Sequence, residues 1–268
     1  MEQETPADRA MRLRRRLSGQ RFDDVDWLTE VGSTNAELMA LARDGAHEQV
    51  LLTDFQSAGR GRRDRTWTAP PGSSLMLSVL VRHGLTPEGA GLLTMAFGLA
   101  AADACQRTCD VRPQLKWPND LVYEDRKLAG ILAEAVIEGS TMTAAVIGMG
   151  MNTNWPELPK ELAATAVSLN LLAGEDIDQV ELAALLLEHL EHWLGADPRH
   201  LRGAYTAHSA TIGRRVRVEL PTGAGHNGAT KTTEGTADRI TDAGHLVIVT
   251  DAGEMTVSSG DVVHLRPV

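Results

Sequence analysis

The stretch VLLTDFQSAGRGRRDRTWTAPPGSSLMLSVLV, residues 50–81, decides the fold. Val50–Gln56 and Leu75–Val81 are short, nearly continuous apolar runs of strand length, the second with few polar interruptions. Between them, Gly59–Pro71 is too rich in glycine, proline and charge to continue either strand and reads as a long loop. Strand, basic loop, strand is therefore the organising unit. The loop carries four arginines against one aspartate in the twelve residues from Gln56 to Trp67, yet the whole chain is acidic, with 26 Lys plus Arg against 36 Asp plus Glu and a formal net charge of −10. Such a balance excludes a general electrostatic surface for DNA or anionic lipid, so any anion site is local.

Working outward, 268 residues with 43% hydrophobic content are enough for a sizeable core and two domains. No apolar run reaches the ~18 residues of a membrane span, and Met11–Arg16 leads into polar Ser18–Gln20 rather than an apolar signal core. The expectation is a soluble, unexported, cytoplasmic protein. Cys105 and Cys109 lie in an alanine-rich helical stretch without a second pair or a neighbouring histidine, so they read as buried reduced thiols rather than zinc ligands.

Residues 1–20, with Arg9, Arg12, Arg14, Arg15 and Arg16, read as a polar N-terminal arm, frayed or forming a short surface helix. Thr34-Asn35-Ala36-Glu37 has capping-box spacing and predicts a helix from about 35 to 44. Thr86-Pro87 opens a long, almost uncharged helix to about Arg107, buried on most faces. Strand character follows at Gln114–Trp117, Leu128–Ile137 and Thr141–Gly148, and an amphipathic helix at Val180–Leu194. From Ile212 β-branched runs at Val216–Leu220, Leu246–Thr250 and Met255–Ser258 alternate with turns at Pro221–Gly228 and Asp251–Gly253, predicting a small all-β barrel over 212–268. That leaves 21–211 as the main domain.

Four motifs carry chemistry. In the basic loop, Gly59 and Gly61 free the backbone while the arginines offer planar forks matched to phosphate oxygens. It is not a Walker loop, and Asp64 stands where a dinucleotide fingerprint needs its third glycine; alone, it fits a basic surface loop equally well. KWPNDL, residues 116–121, ends an apolar strand with a carboxylate: Asp120 suits a magnesium bridging phosphates, a proton acceptor beside an attacking amine, or an ordinary Asx-turn. In KLAGIL, residues 127–132, Lys127 opens an otherwise apolar strand and Gly130 removes a side chain nearby, fitting either a phosphate contact or an edge lysine. GMGMN, residues 148–152, is a strand end open to ligand approach, or a simple bulge. Together the four repeat one theme, glycine, cation and amide at strand ends, suited to a nucleotide beside a small organic substrate. His189 and His192 have metal spacing, but a solvated helix face accounts for them.

In composition, order and spacing these motifs resemble those of bacterial biotin protein ligases, over residues 28–268. The resemblance implies an α+β fold, a mixed sheet flanked by helices of the class II aminoacyl-tRNA synthetase and biotin ligase type, with a small C-terminal SH3-like β-barrel. It implies that biotin attacks the α-phosphate of ATP to give biotinyl-5′-adenylate and pyrophosphate. A lysine on the biotin carboxyl carrier domain of an acyl-CoA carboxylase then takes the biotinyl group, and magnesium accompanies the nucleotide. By the same resemblance Ser33, Thr34, Asn35 and Gln56 contact the biotin head. Gly59, Arg60, Trp67, Gly130, Ile131, Gly148 and Gly150 complete its pocket. Arg62, Arg65, Trp67, Lys116, Lys127 and Asn152 serve the nucleotide. Arg62, Lys127 and Asp120 are the catalytic candidates, Asp120 also the candidate metal ligand. Asp64 departs from a frequent glycine of the family. A lipoate-type ligase is the enzymatic alternative, though its glycine-rich arginine motif with a following histidine is absent. A biotin-responsive regulator is the other, and the short segment before the catalytic pattern speaks against its DNA-binding domain; the expectation is a monofunctional ligase without specific DNA or membrane partners.

Overall fold

The structure, a computed structural model, describes residues 4–63, 65–83, 85, 89–221, 230–258 and 260–264. Its elements in chain order are α1 (Pro6–Arg16), β1 (Val25–Val31), α2 (Thr34–Arg43), β2 (Val50–Gln56), β3 (Ser74–Val81), α3 (Ala90–Cys109), β4 (Gln114–Lys116), β5 (Asp120–Tyr123), β6 (Arg126–Glu138) and β7 (Thr141–Asn152). There follow α4 (Lys160–Ala163), α5 (Leu169–Ala173), α6 (Gln179–Leu194), α7 (Pro198–Ala207), β8 (Arg215–Pro221), β9 (Thr230–Ile240), β10 (Leu246–Thr250), β11 (Gly253–Val257) and β12 (Asp261–His264).

Seven strands form one sheet in the order β1-β2-β3-β7-β6-β5-β4. β1 pairs parallel with β2 while β2 with β3, β3 with β7 and β7 with β6 pair antiparallel, so the sheet is mixed as expected. Side-chain alternation then assigns its two faces. Leu75, Leu77, Val79 and Val81 of β3 and Ala145, Ile147, Met149 and Met151 of β7 join α1, α3 and α6 in the main core. Leu80, Ala144 and Val146 instead meet Leu38, Met39 and Ala42 of α2 on the opposite face. By the same alternation Ser78, Gly148 and Gly150 lie on the α2 face, beyond that small cluster.

Of the two forms expected for residues 1–20, frayed or a short surface helix, the structure shows a helix, and one more firmly docked than a surface segment. Residues 6–16 form a docked helix with a Thr5 capping box, proline in its first turn, and Ala10 and Leu13 buried. Leu13 and Leu17 are fully buried in the main core. The arginines that suggested a solvated segment reach across to neighbours: Arg9 to Asp54 at 2.5 Å, Arg12 to Asp178 at 2.6 Å, Arg14 to Asp26 at 2.6 Å, and Arg16 to Glu188. The three pairs of Arg12, Arg14 and Arg16 are at least partly exposed and contribute at most ~1 kcal/mol each, whereas Arg9–Asp54 is mostly buried; the two leucines add ~1.5–3 kcal/mol each on burial.

α2 starts one residue before its expected boundary, with Ser33 rather than Thr34 at the N-cap and no side-chain cap bond. α3 begins at Ala90; the expected Thr86-Pro87 start lies outside the described residues. α6 is capped by Asp178, whose carboxylate accepts from Val180 and Glu181. No helix among the described residues is long and apolar enough to cross a membrane. Cys105 is buried, Cys109 half-buried, and both thiols are free.

The second sheet is five-stranded and antiparallel, in the order β11-β10-β9-β8-β12. The expected turn at 221–228 lies largely outside the described residues. This sheet is seated on the main domain by backbone contacts: Trp117 Nε1 donates to Gly244 O at 3.0 Å, and a Cβ at Gly91 of α3 would meet Ala243 O at 2.6 Å. His264, with its ring 9% exposed, lies between Asp125, Arg214 and Thr211 at the same junction. Burial, with Lys116 and Arg214 adding to it and Asp125 opposing, holds its pKa below the usual histidine value.

Two outcomes follow. Leu13→Ala lowers folding stability by about 2–5 kcal/mol in chemical denaturation, whereas a frayed arm would leave it unchanged. Because His264 binds a proton less readily folded than unfolded, stability falls as pH drops below about 6.5. His208, its pKa lowered by burial and Arg112, adds a slope of the same sign. Thermal midpoints between pH 7.5 and 5 therefore show a shallower fall in His264→Gln than in the parent.

Candidate active site

The strand–loop–strand unit builds the site on the α2 face of the sheet. After β2, the chain doubles back at the glycines: Gly61 N donates to Arg65 O at 2.7 Å and Trp67 N to Gly59 O at 3.1 Å. Gly59 is required because a Cβ there would overlap Trp67 O. Arg63 occupies the left-handed region at φ 55°, closing the turn. The loop is anchored at several arginines. Arg60 pairs with Glu134 at 2.8 Å, Arg62 Nη1 donates to Asn119 Oδ1 at 3.2 Å and to Gly260 O at 3.4 Å, and Arg63 Nη2 donates to Glu219 O at 3.2 Å. The departure at Asp64 lies outside the described residues.

At the other border stands the start of α2. The Thr34 N–H, one of the unpaired donors of a helix N-terminus, donates to Gln56 Oε1 at 2.8 Å. Ser78, fully buried, donates to Asn35 Oδ1 at 2.7 Å and lies 2.6 Å from Thr34 Oγ1. Asn35 fits only because β7 has glycine beneath it: a Cβ at Gly148 would overlap Asn35 Oδ1. Gly150 plays the same part for Trp67, whose indole would overlap a Cβ there. On this face of β7 Asn35 and Trp67 stand over the two glycines, which also line the cavity. The Trp67 indole N–H is buried without an acceptor.

The third border is β5 and β6. Asp120 pairs across the ladder with Gly130, and Lys127 Nζ lies 2.8 Å from Asp120 Oδ1 and 3.1 Å from where a Gly130 Cβ would stand. Gly130 therefore makes room for the lysine side chain. Asn119 spans the turn, its Nδ2 donating to Ile131 O at 2.7 Å.

These borders enclose a cavity of about 320 Å³. Its lining includes Ser33, Thr34, Asn35, Gln56, Arg60, Arg62, Arg65, Trp67, Lys116, Asp120, Lys127, Gly130, Ile131, Gly148 and Gly150, all singled out from the sequence. Two others fall elsewhere. Gly59 faces the outer groove of the loop. Asn152, expected at adenine, is buried, its Nδ2 donating to Val167 O at 3.1 Å and its Oδ1 3.5 Å from Ser74 Oγ, which ties β7 to the segment before α5. Sequence reasoning missed Ser78, Asn119 and Glu134; the second sheet also reaches the cavity, where Glu219, Val262 and Val263 line it. A serine inside an otherwise apolar strand was the available signal for Ser78. Among the described residues no cluster of three or more His, Cys, Asp or Glu stands ready for a metal, His189 and His192 included.

The cavity unites a cationic side, Arg60, Arg62, Arg65 and Lys127, with a side of amides and hydroxyls. The model of the biotin/lipoate A/B protein ligase family matches residues 33–152, the span that builds these borders. Ligases of that type are the class. The biotin–[acetyl-CoA-carboxylase] ligase of Mycobacterium tuberculosis is 39% identical over 259 residues, covering 93% of this chain and 92% of that protein. That of Paracoccus denitrificans is 31% identical over 250 residues, covering 88% and 98%. Among solved structures, the biotin protein ligase from Aquifex aeolicus in complex with biotin and ATP superposes with a TM-score of 0.77 at 25% identity, covering 92% of this chain and 100% of that one. The chain belongs to the biotin protein ligases.

The glycine contacts are directly testable. Gly150→Ala displaces the Trp67 indole, shifting tryptophan emission and weakening substrate binding at least tenfold in titration while the far-ultraviolet circular dichroism stays that of the parent.

Proposed function

We propose that the chain activates biotin with ATP to biotinyl-5′-adenylate and pyrophosphate, then transfers the biotinyl group to a lysine of the biotin carboxyl carrier domain of an acyl-CoA carboxylase. The observation that supports this most is the meeting of the loop arginines and the Lys127–Asp120 pair with the Thr34–Gln56–Ser78 cluster in one cavity. Biotin's ureido head needs both donors and acceptors, which Ser33, Thr34, Asn35 and Gln56 offer. Ile131 and the Trp67 ring provide an apolar wall for its chain. That chain directs the carboxylate toward Arg62 and Lys127.

In the first step a carboxylate oxygen forms a bond to the α-phosphorus and the bond to pyrophosphate breaks. Negative charge grows on the phosphoryl oxygens, where the preorganised cations Arg62 and Lys127 stabilise it. Arg65 and Lys116 add charge toward the polyphosphate. In the second step the carrier lysine amine attacks the acyl carbon and AMP leaves with its electron pair, while Asp120 helps accept the amine proton. Magnesium ordinarily binds through one or two carboxylates plus substrate phosphates. The single carboxylate of Asp120 fits an ion arriving on the nucleotide, where it would neutralise phosphate charge. The glycine loop serves as a lid that keeps water from the mixed anhydride. The carrier docks partly by strand pairing along an exposed edge, and the reaction belongs to the cytoplasm, where ATP is abundant.

Incubation with ATP, magnesium, biotin and a recombinant carrier domain, read by intact mass, adds one biotinyl group to one lysine. Lipoate in place of biotin gives no increment; a lipoyl increment instead would replace the reading with the lipoate one. Arg62→Ala and Lys127→Ala each abolish biotin-dependent pyrophosphate exchange with the fold intact, and normal exchange in either removes it from the catalytic set.

A further inference from the structure

Alternation along β6 places Gly130, Leu132 and Glu134 on the α2 face, opposite Gly150, Gly148 and Val146 of β7. Gly130 and Leu132 line the cavity; Glu134 lies just beyond it, in the outer groove beneath the glycine loop. Glu134 stands opposite Val146 at the end of the apolar cluster beneath α2, and its carboxylate bridges two groups from different borders of the site. Its Oε2 accepts from Asn35 Nδ2 at 2.9 Å and from Arg60 Nη2 at 2.8 Å, while Oε1 is 3.1 Å from the same Arg60 nitrogen. Asn35 is buried and seated on Gly148; its Nδ2 also donates to Leu132 O at 3.1 Å and its Oδ1 accepts from Ser78, leaving that oxygen able to accept a second bond.

We propose that Glu134 is a positioning residue for the ligase reaction, joining the loop through Arg60 and the head of α2 through Asn35 into one unit that retains biotin and its adenylate. An isolated surface ion pair would be worth little. This one differs because the carboxylate also holds a buried amide and sits only 26% exposed, where charge-assisted bonds are stronger. Glu134 is bonded to Asn35 and Arg60, whereas Lys127 is paired with Asp120, so loss of Glu134 acts on ligand retention rather than on the chemical step.

The inference rests on the biotin-ligase reading, and the test separates the two. Glu134→Gln keeps an oxygen for Asn35 but discharges the pair with Arg60. In exchange assays it raises KM for biotin about tenfold, as loss of a charge-assisted bond implies, with kcat within about twofold, and it speeds release of bound adenylate by a similar factor. Arg60→Gln gives a comparable change, and the double variant is no worse than the poorer single one. Without any substrate, trypsin cuts the loop at Arg62, Arg63 or Arg65 faster in Glu134→Gln than in the parent. Multiplicative effects in the double variant, or cleavage at the parental rate, would overturn the proposal. A parent protein that fails to exchange pyrophosphate counts against the ligase reading alone, and the trypsin measurement then decides the role of Glu134.

Discussion

The site depends on a stretch of β7 that carries no side chains on one face. Gly148 and Gly150 follow Ala144 and Val146 in the alternation toward α2, so the packed cluster beneath that helix gives way to bare backbone. Asn35 and the Trp67 indole take that space. One belongs to the head of α2 and the other ends the basic loop, and their seats are two residues apart on a rigid central strand. The distance between the polar and cationic borders is therefore set by the pleat of β7 rather than by the loop.

A second constraint is electrostatic. The chain is acidic overall, yet its densest cationic segment faces the cavity. Arg62 donates to the Asn119 amide oxygen and to the Gly260 carbonyl, Arg63 donates to the Glu219 carbonyl, and Arg60 faces the Glu134 carboxylate. The loop is thus tied at three arginines to β6, to the turn before β5 and to the second sheet, and hydrogen bonds with both partners charged, as at Arg60, are the stronger kind.

Much of this was legible in the sequence where one principle acted alone. β2, β3 and β10 are apolar strand-length runs and appear at or within a residue of their expected ends. β1 went unread because it is an edge strand with only Val25 and Trp27 buried, which blurs its alternation with Asp26 and Glu30. The residues 6–16 hid a docking face behind arginines whose partners lie far along the chain. In the site, cations and glycines announced themselves by type. What each glycine admits did not, because that requires knowing which helix lies over β7. Asn152 and Glu134 illustrate this: the strand-end amide is hydrogen-bonded to Val167 O, and Glu134, not singled out from the sequence, bonds both Asn35 and Arg60.

The second sheet completes the argument about placement. Its strands contribute Glu219, Val262 and Val263 to the cavity, and Gly260 accepts from Arg62. It reaches that position through the turn at Ala243-Gly244, whose backbone meets Gly91 so closely that neither side tolerates a Cβ without shifting, and through the Trp117 indole beside Pro118 and Asn119. The same short segment thus carries the seat of the small sheet at Trp117 and two site residues, Lys116 and Asp120. Rotation of the sheet would pull on Trp117 and on Arg62 together. The small sheet is therefore a wall of the cavity whose position is coupled, through the Ala243-Gly244 turn packed on Gly91 and the Trp117 indole, to the cationic side of that cavity.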